Sequence, residues 1–121
     1  RIAIRHELEV INERFSEALA GQDADAVVDL YTDDARLLFT GIPMIRGREA
    51  IARMMRAWLA ESPHQMTFQT GDLWEAGNIV VDVGTYDSPH GAGKYVVLYE
   101  RQADGSLKLA VDAVSLNGDA S

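Results

Sequence analysis

The sequence predicts an α+β fold in which a curved antiparallel sheet wraps N-terminal helices. Three observations predict it. The N-terminal half repeats its apolar residues at helical spacing, with Ile4, Leu8, Ile11, Phe15 and Leu19 forming one stripe. Beyond Pro63 the pattern changes to β-branched and aromatic residues interrupted by Gly and Asn. Helices therefore come first and a meander of strands last, the order of a domain whose helices gather on one side of a sheet.

The elements follow in turn. Gly21 ends the first helix, and Asp23 stands where an N-cap accepts orphan backbone N–H groups, opening a short helix through Val27, Val28, Leu30 and Tyr31. TDDARLLF reads as a polar turn into a short strand. The Gly and Pro of TGIPMIRG mark a turn, after which REAIARMMRAWLAE places Ile51, Met54, Met55, Trp58 and Leu59 on one helical side. Ser62 and Pro63 close that helix. Strands are predicted near residues 65–76, 78–87, 93–102 and 107–116.

Composition narrows the functional classes. A chain of 121 residues fits one domain spanning 1–121, with 47% hydrophobic and 25% charged residues. No run approaches the ~18 apolar residues of a membrane span, and no basic-then-apolar leader is visible. A net charge of −8 opposes binding to nucleic acid, which requires concentrated Lys and Arg. The absence of cysteine excludes disulfides and thiolate chemistry and suits a cytoplasmic protein. His6, His64 and His90 lack metal-ligand spacing, so they read as surface residues and no metal is expected. DADAVVD has valines where a calcium loop needs a ligand and a glycine, and GAGKYV lacks a dinucleotide fingerprint. The side of the third helix carrying Arg48, Arg53 and Arg56 reads as solvated.

One residue stands out in LKLAVDAVSLNG (107–118): Asp112, flanked by apolar neighbours in a predicted strand. The preceding ADGS carries the Asp-Gly of a two-residue type I′ hairpin. If Ala103 faces Ser106, then Arg101 faces Lys108, Tyr99 faces Ala110 and Val97 faces Asp112. This register puts Asp112 on one face with Tyr95, Val97, Tyr99, Ala110 and Val114, and leaves Val96, Leu98, Leu107, Leu109 and Val111 on the other. Both faces are apolar at their centres, so helices should cover one and a second subunit or another layer the other.

Several segments resemble the NTF2-like superfamily in its SnoaL-like and DUF4440 branches: EALAGQDADAVVDLYTDDARL, IRGREAI, VGTY and GKYVVLYERQADGSLKLAVD. The resemblance implies a cone-shaped sheet of the cystatin-like α+β barrel type, enclosing a pocket plugged by helices, and a homodimer. Ketosteroid isomerase is the relative whose mechanism is best understood. The match puts Phe15 at its oxyanion-hole tyrosine, Phe39 at its general base and Tyr99 at its protonated acid. One donor without a base does not make a steroid isomerase. The same match turns Asp112 into the pocket. It leaves Asp82, in IVVDVGTY, on the outer face near Lys94, with Val81 and Val83 inward.

The candidate catalytic residues are accordingly Asp112 and Tyr99. Tyr31 is a second orienting hydroxyl, and Phe15, Phe39, Met55, Trp58, Trp74 and Val97 are candidate pocket walls for a small apolar or aromatic molecule. Apolar walls would raise the pKa of Asp112 and suit it to proton transfer in an isomerisation, cyclisation, dehydration or hydrolysis without a cofactor. The structural alternative is a carboxylate tied to tyrosine or backbone donors that shapes the core of a non-catalytic binding or dimerisation module.

Overall fold

Leu8, Leu19, Ile51 and Leu59 have almost no exposed surface, and they mark where the helices press onto the sheet. The structure, a computed structural model, describes residues 2–118. It contains α1 (Ile2–Ala20), α2 (Ala24–Val28), β1 (Tyr31–Phe39), β2 (Ile45–Arg46), α3 (Arg48–Glu61), β3 (Thr67–Ala76), β4 (Ile79–Ser88), β5 (Gly91–Arg101) and β6 (Leu107–Leu116). The strands form one curved, open sheet in the order β2-β1-β6-β5-β4-β3. No described helix is long and apolar enough to cross a membrane.

The stripe of α1 buries Ile4, Leu8, Ile11 and Leu19 and half-buries Phe15. The helix ends directly before Gly21, as expected, and the left-handed residue of its cap is the next one. Gln22 takes the left-handed conformation (φ 55°), and Asp23 N and Gln22 N donate to the carbonyls of Ala18 and Leu19, as in a Schellman cap. Gln22 Nε2 also donates to the Leu59 carbonyl at 2.7 Å, joining the ends of α1 and α3. That contact gives a non-glycine residue a compensating bond in the strained position.

Asp23 caps α2, accepting from Ala26 N at 3.1 Å. The helix stops at Val28, short of the expected Tyr31. The Leu30 carbonyl instead accepts from Leu109 N, and Tyr31 pairs with Leu109 as the first residue of β1. Sheet pairing overrides the helical spacing there. The β1–β6 pair is parallel, the one departure from an antiparallel sheet among the described strands.

The β5–β6 hairpin corrects the expected register. Gln102 N donates to the Ser106 carbonyl and Gly105 N to the Gln102 carbonyl, with Gly105 alone at positive φ (90°). This is a three-residue loop, a β-turn followed by a left-handed glycine, rather than a two-residue type I′ turn. Arg101 therefore pairs with Leu107 and Tyr99 with Leu109. A bulge between these pairs and Leu98–Val111 then absorbs Ala110 and restores the Val97–Asp112 pair. The loop and the bulge are one-residue offsets of opposite sense. Asp112 keeps its expected neighbour, whereas Leu107 and Leu109 turn into the core instead of onto the outer face.

Candidate functional site

Asp112 lies near the middle of the sheet, paired with Val97 of β5 on one side and Leu37 of β1 on the other. It is 5% exposed. The Tyr31 hydroxyl donates to its Oδ2 at 2.5 Å. Tyr31 is held by the parallel pairing of β1 and by edge-on contact with Phe15 at 6.1 Å between ring centroids. Burial pushes the Asp112 carboxyl up to about 6, and the Tyr31 bond pulls it part of the way down. The Tyr31 hydroxyl is itself raised well above its ordinary value, first by burial and then by the Asp112 charge and hydrogen bond. It stays protonated, and a donor, through the physiological range.

Tyr99 lies on the same inward face, buried beside the acid. Burial raises its hydroxyl well above the ordinary value, and nearby Tyr95, Asp82 and Asp112 raise it further. The hydrogen bond to Asp112 comes from Tyr31, not Tyr99.

In front of this acid is a cavity of about 750 Å³. Phe15 of α1, Met55 and Trp58 of α3, and Val97 of β5 line it together with Tyr31, Tyr99 and Asp112. Phe39 lines it at the rim, 38% exposed, beside Ile42 and Leu116. Trp74 is a correction. It is 58% exposed and lies away from the cavity, because β3 is an edge strand whose bulge between Gln69 and Asp72 sets Trp74 on the outer face opposite Val81.

These features can be set against known proteins. The SnoaL-like domain matches residues 12–109, most of the chain. The chain belongs to the SnoaL-like family. Similar solved structures share its fold within the NTF2-like superfamily. A ketosteroid isomerase-like protein from Erwinia carotovora is 20% identical over 95% of this chain and 97% of its own, with a TM-score of 0.76. A protein from Catenulispora acidiphila in complex with S-DNPA is 21% identical, covering 97% and 96%, with a TM-score of 0.78. An NTF2-like protein with a cystatin-like fold from Novosphingobium aromaticivorans is 19% identical, covering 96% and 84%, with a TM-score of 0.72. No curated protein matches the chain.

This SnoaL-like domain buries a second acid that the sequence places wrongly. Asp82 is completely buried, with Val80, Gly84 and Tyr86 on the same inward face of β4, whereas Val83 is exposed. Its Oδ2 accepts from the Tyr95 hydroxyl at 2.8 Å and its Oδ1 from Gly71 N at 3.1 Å. Gly71 belongs to the β3 bulge, whose N–H has lost its place in the ladder, so Asp82 supplies the missing acceptor. Arg5 of α1 donates to the carbonyls of Thr70 and Gly71. Gly84 is required here, since a Cβ would stand 2.5 Å from the Tyr95 hydroxyl. Lys94, the expected partner, donates to the Leu116 carbonyl instead. Asp82 is absent from the cavity wall, and its bonds assign it to the sheet.

Two wall residues had no functional signal in the sequence. His64, expected on the surface, stacks on Trp58 with ring centroids 3.8 Å apart and lines the cavity. Tyr86 lines it from β4, with its ring over Gly93, where any Cβ would collide with it. The glycine opposite a tyrosine was the available clue. Among the described residues, no three His, Asp or Glu side chains gather as a metal site.

Proposed function

We propose that this SnoaL-like domain encloses a small apolar or aromatic molecule in the cavity and exchanges a proton with it through Asp112. One observation carries the reading: a buried carboxyl, raised to about 6, at the wall of an otherwise largely apolar cavity. Near neutral pH such a group is an acceptor that becomes a donor after one proton transfer. Tyr31 positions it, and Tyr99 supplies a second protonated hydroxyl towards the ligand. These groups suit isomerisation, cyclisation, dehydration or hydrolysis without a cofactor. The S-DNPA complex of the Catenulispora acidiphila relative supports a small-molecule role for this fold.

A second reading, binding without turnover, is favoured by the Tyr31 bond, which already satisfies one carboxylate oxygen. A substrate screen with wild type and Asp112→Asn separates the two. Proton transfer predicts that the variant loses about a hundredfold or more of turnover while still binding ligand. Equal rates on every compound turned over end the catalytic reading.

The proposal extends to a homodimer through the outer face of the sheet. Val83, Val96, Ala113 and Leu38 form one cross-strand row there, and Val96 is 45% exposed. The acidic charge does not suit nucleic acid, and the cysteine-free chain suits the cytoplasm.

A further inference from the structure

Two polar atoms in the cavity wall are buried without a hydrogen-bond partner among the described residues: the Tyr86 hydroxyl and His64 Nε2. Buried polar groups are normally satisfied, so an orphan pair in one wall is a place where a ligand atom or bound water belongs. Tyr86 is 1% exposed, locked between Phe68, at 6.2 Å, and the Cα of Gly93. His64 is fixed by its stack on Trp58 and by its backbone bond to the Leu19 carbonyl. Neither touches Asp112 in the hydrogen-bond network.

Register gives the place of Tyr86, and His64 precedes β3 at the end where Phe68 pairs with Tyr86. Tyr86, Gly93 and Leu116 form one inward row, whereas Asp82, Val97 and Asp112 form another. Four residues along each strand separate them, or roughly 13 Å at the strand rise. Phe39, Tyr95 and Val114 provide apolar and aromatic wall between the two rows, and the Trp58–His64 stack adds a flat surface.

We propose that Tyr86 and His64 are a second anchoring station, at the opposite end of the cavity from Asp112. The ligand class is then a flat, elongated, non-anionic molecule with a hydroxyl or carbonyl oxygen at each end. Anions are disfavoured by Glu61 and Asp112 in the wall of a protein carrying net charge −8, where a carboxylate ligand would be repelled. This inference rests on the cavity being a binding site with Asp112 at one end.

Calorimetric titration with biphenyl carrying a hydroxyl at both ends, at one end or at neither tests it. The two-ended probe should bind wild type about tenfold more tightly than the one-ended probe, the worth of one added buried hydrogen bond. Tyr86→Phe, or His64→Phe, which retains the stack on Trp58, should erase most of that gain. Equal binding of the one- and two-ended probes to wild type, or a gain that survives both variants, overturns the second station. The one-ended probe's advantage over biphenyl still reports the Asp112 end in that case. Failure of all three probes to bind overturns both readings. The wild-type comparison decides the matter even if a variant folds poorly.

Discussion

The Tyr31 hydroxyl meets Asp112 Oδ2 at 2.5 Å, joining residues 81 positions apart across the parallel pair β1 and β6. Burial raises the acid and the tyrosine lowers it. Burial wins, leaving the carboxyl at about 6. The pair therefore couples a central strand of the sheet to the protonation state of the cavity.

Asp112→Asn should stabilise the protein near neutral pH. The folded-state pKa, about 6, lies above the ordinary 3.8, so the folded protein holds this proton more tightly than the unfolded chain does. The stability gained is complete below about pH 4 and is lost as pH rises through about 6. Asn does not ionise and still presents an oxygen to Tyr31. Urea unfolding should show the variant more stable than wild type by up to roughly 3 kcal/mol at pH 7.5, converging near pH 4. A variant less stable than wild type at pH 7.5 contradicts the burial argument.

Tyr31→Phe removes the donor but not the burial. The Asp112 pKa should rise above its wild-type value, and stability should fall by about 1–3 kcal/mol because a buried acceptor loses its bond. Carboxyl carbon shifts followed through a pH titration give the first quantity. A downward or absent shift is inconsistent with the hydroxyl being a donor to the carboxylate.

Asp82→Ala should act with the opposite sign to Asp112→Asn. It strands two donors, the Tyr95 hydroxyl and Gly71 N, and should cost about 2–5 kcal/mol. Hydrogen exchange should show the loss first at the β3 bulge. Unchanged stability would mean that the bulge does not depend on this acid.

The contrast between these acids shows what the sequence made legible. Helices α1 and α3 and the four C-terminal strands follow from apolar period and turn residues, whereas the Val97–Asp112 pair is reached from a two-residue turn the chain does not make and holds because the Ala110 bulge offsets the longer loop. The inward direction of Asp82 does not follow from apolar period. In IVVDVGTY the more apolar alternate set is Ile79, Val81 and Val83, yet the sheet turns Val80, Asp82, Gly84 and Tyr86 inward. Two glycines decide it, since Gly84 and Gly93 leave room for the rings of Tyr95 and Tyr86 on that face. Hydrophobicity measured residue by residue misses this pairing of a small residue with a large one. The Ala110 bulge was hidden for a related reason: no turn dipeptide marks it, and its effect on register is masked by the longer loop at Gly105. Local spacing places Tyr31 in a helix, because the contact that makes it a strand residue, with Leu109, is remote in sequence.

The outer face supplies a prediction of its own. Val96→Arg places a charge in the centre of the exposed row that includes Val83 and Leu38. Sedimentation should give twice the chain mass for wild type and a shift towards the monomer for the variant, with the Asp112 pKa unchanged. A wild-type monomer at all concentrations contradicts the dimer.

The most direct measurement is the ionisation of Asp112, followed by carbon NMR of the labelled carboxyl with and without a hydroxylated biphenyl. The account predicts a midpoint near 6 in the free protein that moves when the probe binds. A midpoint near that of a free aspartate, indifferent to the probe, would contradict it.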